Sequence, residues 1–228
     1  MYENVTNYPS DEEARKLILE VGRRMYDKGF VASNDGNISV KVSDSTLWAT
    51  PTNVSKGFMT EDMLIKMDLD GNVIEGTWKP SSEIRMHLGV YNEEPSIHAV
   101  CHAHPVCGTA FAIRGKDLDE RILPEGVMQL GVVPCAPFAM LGTDEVPKSV
   151  LPYVHDYNAV LLGNHGVLTW GSNLMQAYMR METLEHYAKI VILSKYVMKD
   201  YREFTDDELD GLISIRESLG IHRGGRPS

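Results

Sequence analysis

The pentapeptide Cys101-His102-Ala103-His104-Pro105 constrains this chain more than any other stretch. It follows the apolar run Ile97-His98-Ala99-Val100 and reads as the end of a strand over 97–103, closed by a proline that cannot donate to a ladder. Alternate side chains on a strand share a face. His102 and His104 therefore point one way, and Cys101 and Ala103 the other. Two imidazoles on one face at a strand end are half of a cation site. The other half has to come from elsewhere in the chain, and two segments qualify. They are Glu83 in Pro80-Ser81-Ser82-Glu83 and His165 in Gly163-Asn164-His165-Gly166.

The residue types narrow the cation. Three neutral imidazoles suit a divalent ion of the zinc type, and three protein ligands leave a position open for substrate. His165 sits between glycines, where backbones approach closely. His87, four residues after Glu83 on the same helix face, is the rival ligand. His98 is in phase with His102 and reads as packing; His155, His186 and His222 read as solvated or locally paired. Ser81-Ser82 at a helix start reads as an N-cap, or as an anion site made of free N–H groups and hydroxyls. Glu83 there also suits a dipole-compensating acid. Asp35-Gly36-Asn37 and Thr50-Pro51-Thr52-Asn53 are turn formers first and ligand contacts second.

Around these segments the pattern is mixed α and β. Ser10 or Asp11 starts a helix that Gly29 ends near Lys28. Strands are expected at 38–42, 47–49, 63–69 and 73–75, the last two flanking the hairpin signal Asp70-Gly71-Asn72. A helix capped by Ser81 or Ser82 reaches about 92, and another spans 106–114. Val132 and Val133 suggest a strand, and 144–154 a helix interrupted at Pro147. Strands at 159–162 and 167–169 pair around the Gly-Asn-His-Gly turn. Long helices cover about 173–198 and 206–219, and 221–228 reads as a mobile tail. The expectation is one α/β domain over 1–228, with a largely antiparallel sheet flanked by helices.

Composition excludes several roles. With 43% hydrophobic and 24% charged residues the chain is an ordinary soluble protein. A net charge of −10 argues against a nucleic-acid or anionic-membrane surface. No run approaches the ~20 apolar residues of a membrane span. Met1-Tyr2-Glu3-Asn4 lacks the charged and apolar regions of a secretion signal. Cys101, Cys107 and Cys135, odd in number and unpaired in spacing, read as reduced thiols of a cytoplasmic protein. The Asn-x-Ser/Thr matches at Asn4, Asn37 and Asn53 are then chance.

Taken in order, six segments resemble the class II aldolase and adducin family, on its sugar-phosphate aldolase branch beside L-fuculose-phosphate aldolase. They are Ser33-Asn34-Asp35-Gly36-Asn37-Ile38-Ser39, Thr50-Pro51-Thr52, Pro80-Ser81-Ser82-Glu83, His102-Ala103-His104-Pro105, Pro134-Cys135-Ala136-Pro137 and Gly163-Asn164-His165-Gly166. The resemblance implies a three-layer α/β/α domain assembled as a four-fold homotetramer, with active sites at subunit interfaces. It implies zinc, or manganese, cobalt or iron, on His102, His104 and His165. Glu83 is then a fourth ligand at rest and the acid/base group in turnover. A phosphate pocket of Gly36, Asn37, Thr52, Asn53, Ser81 and Ser82 follows from the same resemblance.

The implied reaction is retro-aldol cleavage of a ketose 1-phosphate, such as L-fuculose 1-phosphate or a pentulose or deoxypentulose 1-phosphate. Dihydroxyacetone phosphate and an aldehyde are the products. The metal stabilises the enediolate and Glu83 protonates its carbon. A pentulose-phosphate 4-epimerase is the nearest alternative, but that branch generally carries Asp at the Glu83 position. A methylthioribulose-phosphate dehydratase and a non-catalytic adducin-like domain are the others. Two departures stand out. Asn53 replaces a usual Gly, and Ile122 to Val133 lacks the Tyr that serves the aldehyde oxygen. Arg223 or Arg226 of the tail is a substitute for that Tyr.

Overall fold

The computed structural model describes residues 8–228, so the readings at Met1-Tyr2-Glu3-Asn4 and Asn4-Val5-Thr6 lie outside the described residues. Eight strands form one sheet: β1 (Asn37–Lys41), β2 (Thr46–Ala49), β3 (Ile65–Asp68), β4 (Val73–Glu75), β5 (Ala99–Ala103), β6 (Cys135–Ala136), β7 (Ala159–Leu162) and β8 (Gly166–Gly171). Their order is β4-β3-β2-β1-β5-β8-β7-β6. Every pairing is antiparallel except β6 with β7.

Helices cover both faces, as the burial of alternate strand residues requires. α1 (Asp11–Asp27), α3 (Val106–Arg114) and α6 (Leu174–Val191) pack on one face. Ile18, Val21, Phe111, Tyr178, Met181 and Leu184 join Ala99, Cys101 and Ala103 there. α2 (Ile84–Glu93) and α5 (Glu145–Val150) pack on the other face, where Met86, Val90, Tyr91, Val146 and Val150 meet Val100, Leu168 and Trp170. This is the expected three-layer α/β/α arrangement. The strand alternation sends His102, in phase with Val100, to the α2 face.

Several local expectations change. Ser81 and Ser82 do not cap α2; Glu83 holds that position, after a turn in which the Glu83 N–H donates to Ser81 Oγ. Val133 makes only an isolated bridge to Leu118, and the strand forms two residues later, because Pro134 has no N–H to give a ladder. Pro147 does not interrupt α5: it lies in the first turn, where N–H groups have no helical acceptor, and the helix gives way to a 3₁₀ turn at Leu151–Tyr153. The long C-terminal helix is α6 followed by a π turn, Ile192–Met198, ended by Lys199 at φ 58°. α4 (Pro124–Gln129) is a short helix that the sequence pattern did not signal. α7 (Asp206–Ser218) closes the chain, with a Thr205–Glu208 capping box like that of Ser10 and Glu13 on α1. The tail, expected to be mobile, lies against the body. Arg223 pairs with Glu94, Arg226 with Asp206 and Asp210, and Gly224 bonds Asp156 and Val132 through its backbone. Cys101 is buried, Cys107 and Cys135 are half-buried, and all three are free thiols. Among the described residues no helix is long and apolar enough to cross a membrane.

One close approach matters for the site. A 3₁₀ turn at Lys56–Phe58 lies on α1 where Gly22 offers no side chain; a Cβ there would come within 2.7 Å of the Lys56 carbonyl oxygen and 2.6 Å of Met59 Cε. Gly22→Ala should therefore lower the urea midpoint, by about 1–3 kcal/mol of overpacking, although Ala is the better helix former by about 1 kcal/mol. A raised midpoint would show that the turn can retreat from α1.

Candidate metal centre

Register and local backbone bring the site together. His102 on β5 stands between Asn37 on β1 and Leu168 on β8. His104, just past the strand end, is tied by its N–H to the Phe30 carbonyl. His165 arrives on the β7–β8 turn, where Asn164 takes φ 56°, a conformation Asn tolerates better than most residues. Gly166 makes room: a Cβ there would lie 2.5 Å from His104 Cδ2. The three rings end with centroids 4.8 to 5.0 Å apart and ligand atoms all within 4.8 Å of one another.

The hydrogen bonds assign the tautomers. His102 Nδ1 lies 2.9 Å from the Val167 carbonyl oxygen, so it carries the proton and donates. His104 Nδ1 donates to Asp35 Oδ2 at 3.2 Å. Both Nε2 atoms are then bare lone pairs, yet they face each other at 3.2 Å. Glu83 Oε2 is 3.4 Å from His102 Nε2, and Oε1 is 3.2 Å from His165 Nε2. Oε1 is buried and has no hydrogen-bond donor. A tetrahedral zinc site with bonds of about 2.0–2.1 Å has ligand–ligand edges of about 3.3 Å. Converging lone pairs without a donor, at this spacing, fit a divalent cation.

Charge states agree. Burial pushes His102 down to about 4 and also lowers His165, leaving neutral rings at neutral pH. Burial raises the Glu83 carboxyl, but the charge that the His102 and His165 rings carry once protonated at low pH, with the Asn37 hydrogen bond, outweighs it, and Glu83 stays below the usual carboxylate range. Asn37 Nδ2 donates to Glu83 Oε2 at 2.7 Å. Asn37 thus holds the carboxylate, and it also lines the cavity that the other expected phosphate residues line.

The other expected residues gather beside the cluster. Gly36, Thr52, Asn53, Ser81 and Ser82 line, with Glu83, His104 and His165, a cavity of about 210 Å³. The bridge Pro51↔Pro80 and the bond from Thr52 N–H to the Lys79 carbonyl join the two loops. Asn53, where family aldolases usually carry Gly, adopts φ 59°, so Asn keeps the left-handed backbone. Arg223 and Arg226 are committed to surface carboxylates and do not line this cavity. His87 is fully buried and lies outside the three-histidine cluster; its Nδ1 donates to Ser39 Oγ at 2.7 Å. Tyr91 donates to the Ser39 carbonyl and receives the Ser39 hydroxyl proton, which leaves His87 Nε2 buried and bare. His98 stacks on Tyr8, and His155 is exposed beside Glu93 and Glu94. Sequence reading did not single out Asp35 as the His104 partner, nor Lys56, which also lines the cavity. Asp35, two residues before β1, was visible only as a turn former.

Residues 16–192 match the family described as Class II Aldolase and Adducin N-terminal domain. A Methanocaldococcus jannaschii protein described as L-fuculose phosphate aldolase is 35% identical over 185 residues, spanning 81% of this chain and 99% of its own length. A Pectobacterium atrosepticum protein described as 3-oxo-tetronate 4-phosphate decarboxylase is 34% identical over 188 residues, spanning 81% of this chain and 86% of its own. The crystal structure of YgbL from Escherichia coli, assigned provisionally as an aldolase, epimerase or decarboxylase, aligns with a TM-score of 0.82 at 30% identity. That match spans 91% of this chain and 100% of YgbL.

The buried neutral rings have a measurable consequence. Burial takes His87 down to about 3 and His102 to about 4, whereas unfolding returns both to about 6.5. The unfolded chain then binds more protons, so stability of the metal-free protein falls as pH drops from about 6.5 towards 4. Urea midpoints between about pH 7 and pH 5 should decrease, and decrease less in His87→Gln. Equal slopes in both proteins would mean that His87 is charged when folded.

Proposed function

This chain belongs to the class II aldolase and adducin family, and we propose that it is a metal-dependent lyase cleaving a carbon–carbon bond in a small phosphorylated ketose. The observation that carries this reading is the convergence of the His102, His104 and His165 imidazoles, two of them with bare Nε2 lone pairs, with the Glu83 carboxylate at the edge of an open cavity. We assign His102, His104 and His165 as the metal ligands, with Glu83 beside them. A divalent ion held there, zinc by ligand type, would supply the positive charge that a developing enediolate requires.

The chain's own residues do the rest. Asn37 fixes one Glu83 oxygen, so the carboxylate faces the cavity in one orientation. In the synthetic direction ionised Glu83 takes a proton from the substrate carbon; in cleavage its protonated form gives one to the enediolate carbon, balanced by the hydroxyl proton lost as the aldehyde forms. Gly36, Thr52, Asn53, Ser81 and Ser82 are assigned to the phosphate, so that its binding energy positions the reacting carbons. The specific proposal is cleavage of a ketose 1-phosphate to dihydroxyacetone phosphate and an aldehyde. Relatives described as L-fuculose phosphate aldolase support it. We further propose a cytoplasmic homotetramer; exposed Val106, Ile113, Val197 and Met198 support burial against other subunits.

One observation favours a second reading. Aldol cleavage needs a group to handle the aldehyde-oxygen proton, and among the described residues no tyrosine lines the cavity. Decarboxylation of a 3-oxo acid 4-phosphate needs none, because carbon dioxide leaves without a proton. Both reactions pass through the same enediolate, protonated at the same carbon to dihydroxyacetone phosphate. Relatives described as 3-oxo-tetronate 4-phosphate decarboxylase support this alternative.

Dihydroxyacetone phosphate release, coupled to NADH oxidation, reads both reactions. A panel of ketose 1-phosphates, pentulose 5-phosphates and 3-oxo-tetronate 4-phosphates, with and without chelator, should give chelator-sensitive release from one class. Release accompanied by an aldehyde marks the aldolase, and release accompanied by carbon dioxide marks the decarboxylase. Glu83→Gln should keep the metal and lose about 10²–10⁴-fold in turnover; near-normal turnover would remove Glu83 from the chemistry. His165→Ala should lose metal and activity together, and full metal content would show that the ligand set is wrong.

A further inference from the structure

Lys56 is a buried charge at the edge of the histidine cluster's cavity. Its side chain is buried, 2% exposed, and it lines the same cavity as Glu83 and His165. Its Nζ donates to the Asn34 carbonyl at 3.1 Å and to the Val54 carbonyl at 2.5 Å. Asn34 belongs to the loop that carries Gly36, and Val54 follows Thr52 and Asn53. The ammonium thus ties together two of the three segments assigned to the phosphate. Among the described residues no carboxylate lies within ion-pair distance of it, and an ammonium has three donors, of which two are used here.

Holding two carbonyls together does not require a charge; a neutral amide would do it without the cost of desolvating an ammonium. The charge therefore has another purpose. The other formal charges lining this cavity are the carboxylates Asp35 and Glu83, already held by His104 and Asn37. A divalent ion on the histidines would offset Glu83, but the hydroxyls and backbone N–H groups of the phosphate segments carry no formal charge. Lys56 is the cationic side chain at the point where the two loops meet. Burial lowers its pKa to about 8, and the Asp35 and Glu83 carboxylates, each held by another partner, offset that only in part.

We propose that Lys56 is a substrate-binding and specificity residue, whose buried ammonium supplies the positive charge for the substrate phosphate while stapling the 33–37 and 52–54 loops. The proposal rests on the sugar-phosphate reading above. It implies discrimination for phosphorylated over unphosphorylated ketoses at this lysine.

The test uses the metal-loaded, full-length protein with inorganic phosphate as probe, by calorimetric titration and by competitive inhibition of turnover. Lys56→Gln retains amide donors for both carbonyls but no charge. Phosphate affinity should fall about ten-fold or more. KM for the phosphorylated substrate should rise in step, with kcat and metal content nearly unchanged, and the preference over the unphosphorylated ketose should shrink equally. Lys56→Met is the second variant: it keeps a side chain of similar length and removes both the charge and the two carbonyl bonds. It should show the same loss of phosphate affinity, with an unfolding midpoint below that of Lys56→Gln. Phosphate binding within about two-fold of wild type in either folded variant overturns the proposal. A wild-type protein that neither binds phosphate nor turns over any phosphorylated substrate overturns the sugar-phosphate reading itself, and this proposal with it.

Discussion

Two bare imidazole nitrogens 3.2 Å apart, with a buried carboxylate oxygen that finds no donor beside them, are the feature on which the rest of the structure depends. Lone pairs repel at that distance unless a cation lies among them. Everything near the cluster works to keep them there. The Val167 carbonyl and Asp35 hold the Nδ1 protons of His102 and His104 and so turn the other ring nitrogens inward. Such outer partners raise ligand basicity and fix ring orientation. The absence of a side chain at Gly166 lets the β7–β8 turn close against His104.

The face of α2 continues this organisation away from the cavity. Glu83 caps the helix, and His87 lies one turn later inside the protein, joined through Ser39 to Tyr91. The donors along that chain run in one direction and end at a buried, unpartnered His87 Nε2. Ser39 and His102 lie on adjacent strands and on the same face, so the network and the cluster share one layer of the sheet. The same cavity is lined by hydroxyls, left-handed loops and a buried lysine. It thus combines bare lone pairs and carboxylates with donors and an ammonium. That combination suits a substrate with an anionic end and a carbon acid.

Much of this was legible in the residues. Period-two alternation put His102 and His104 on one face, the hairpin signal at Asp70-Gly71-Asn72 marked the β3–β4 connection, and apolar spacing marked α1, α3 and α6. The errors came where two local rules competed. Pro147 reads as a breaker, but in a first helical turn its missing N–H costs nothing. Val132-Val133 reads as a strand, yet Pro134 moved the pairing to Cys135–Ala136. A Gly-, Arg- and Pro-containing tail reads as free, whereas its arginines met carboxylates contributed by α2 and α7.

The sequence by itself determined the chemistry available: three histidines and a glutamate of the right types, in segments whose turns and strand ends expose them, and the family those segments belong to. Only the tertiary structure decided how each is held. Asn37 reads only as a turn former and a phosphate contact; strand pairing sets it beside His102, within reach of Glu83 as well. Lys56 carried no signal in the sequence; its turn settles onto α1 at Gly22, and the side chain is buried. Residue type sets what a side chain can donate, accept or ligate. Partner and burial depend on contacts between residues far apart in sequence, and no local pattern encodes those.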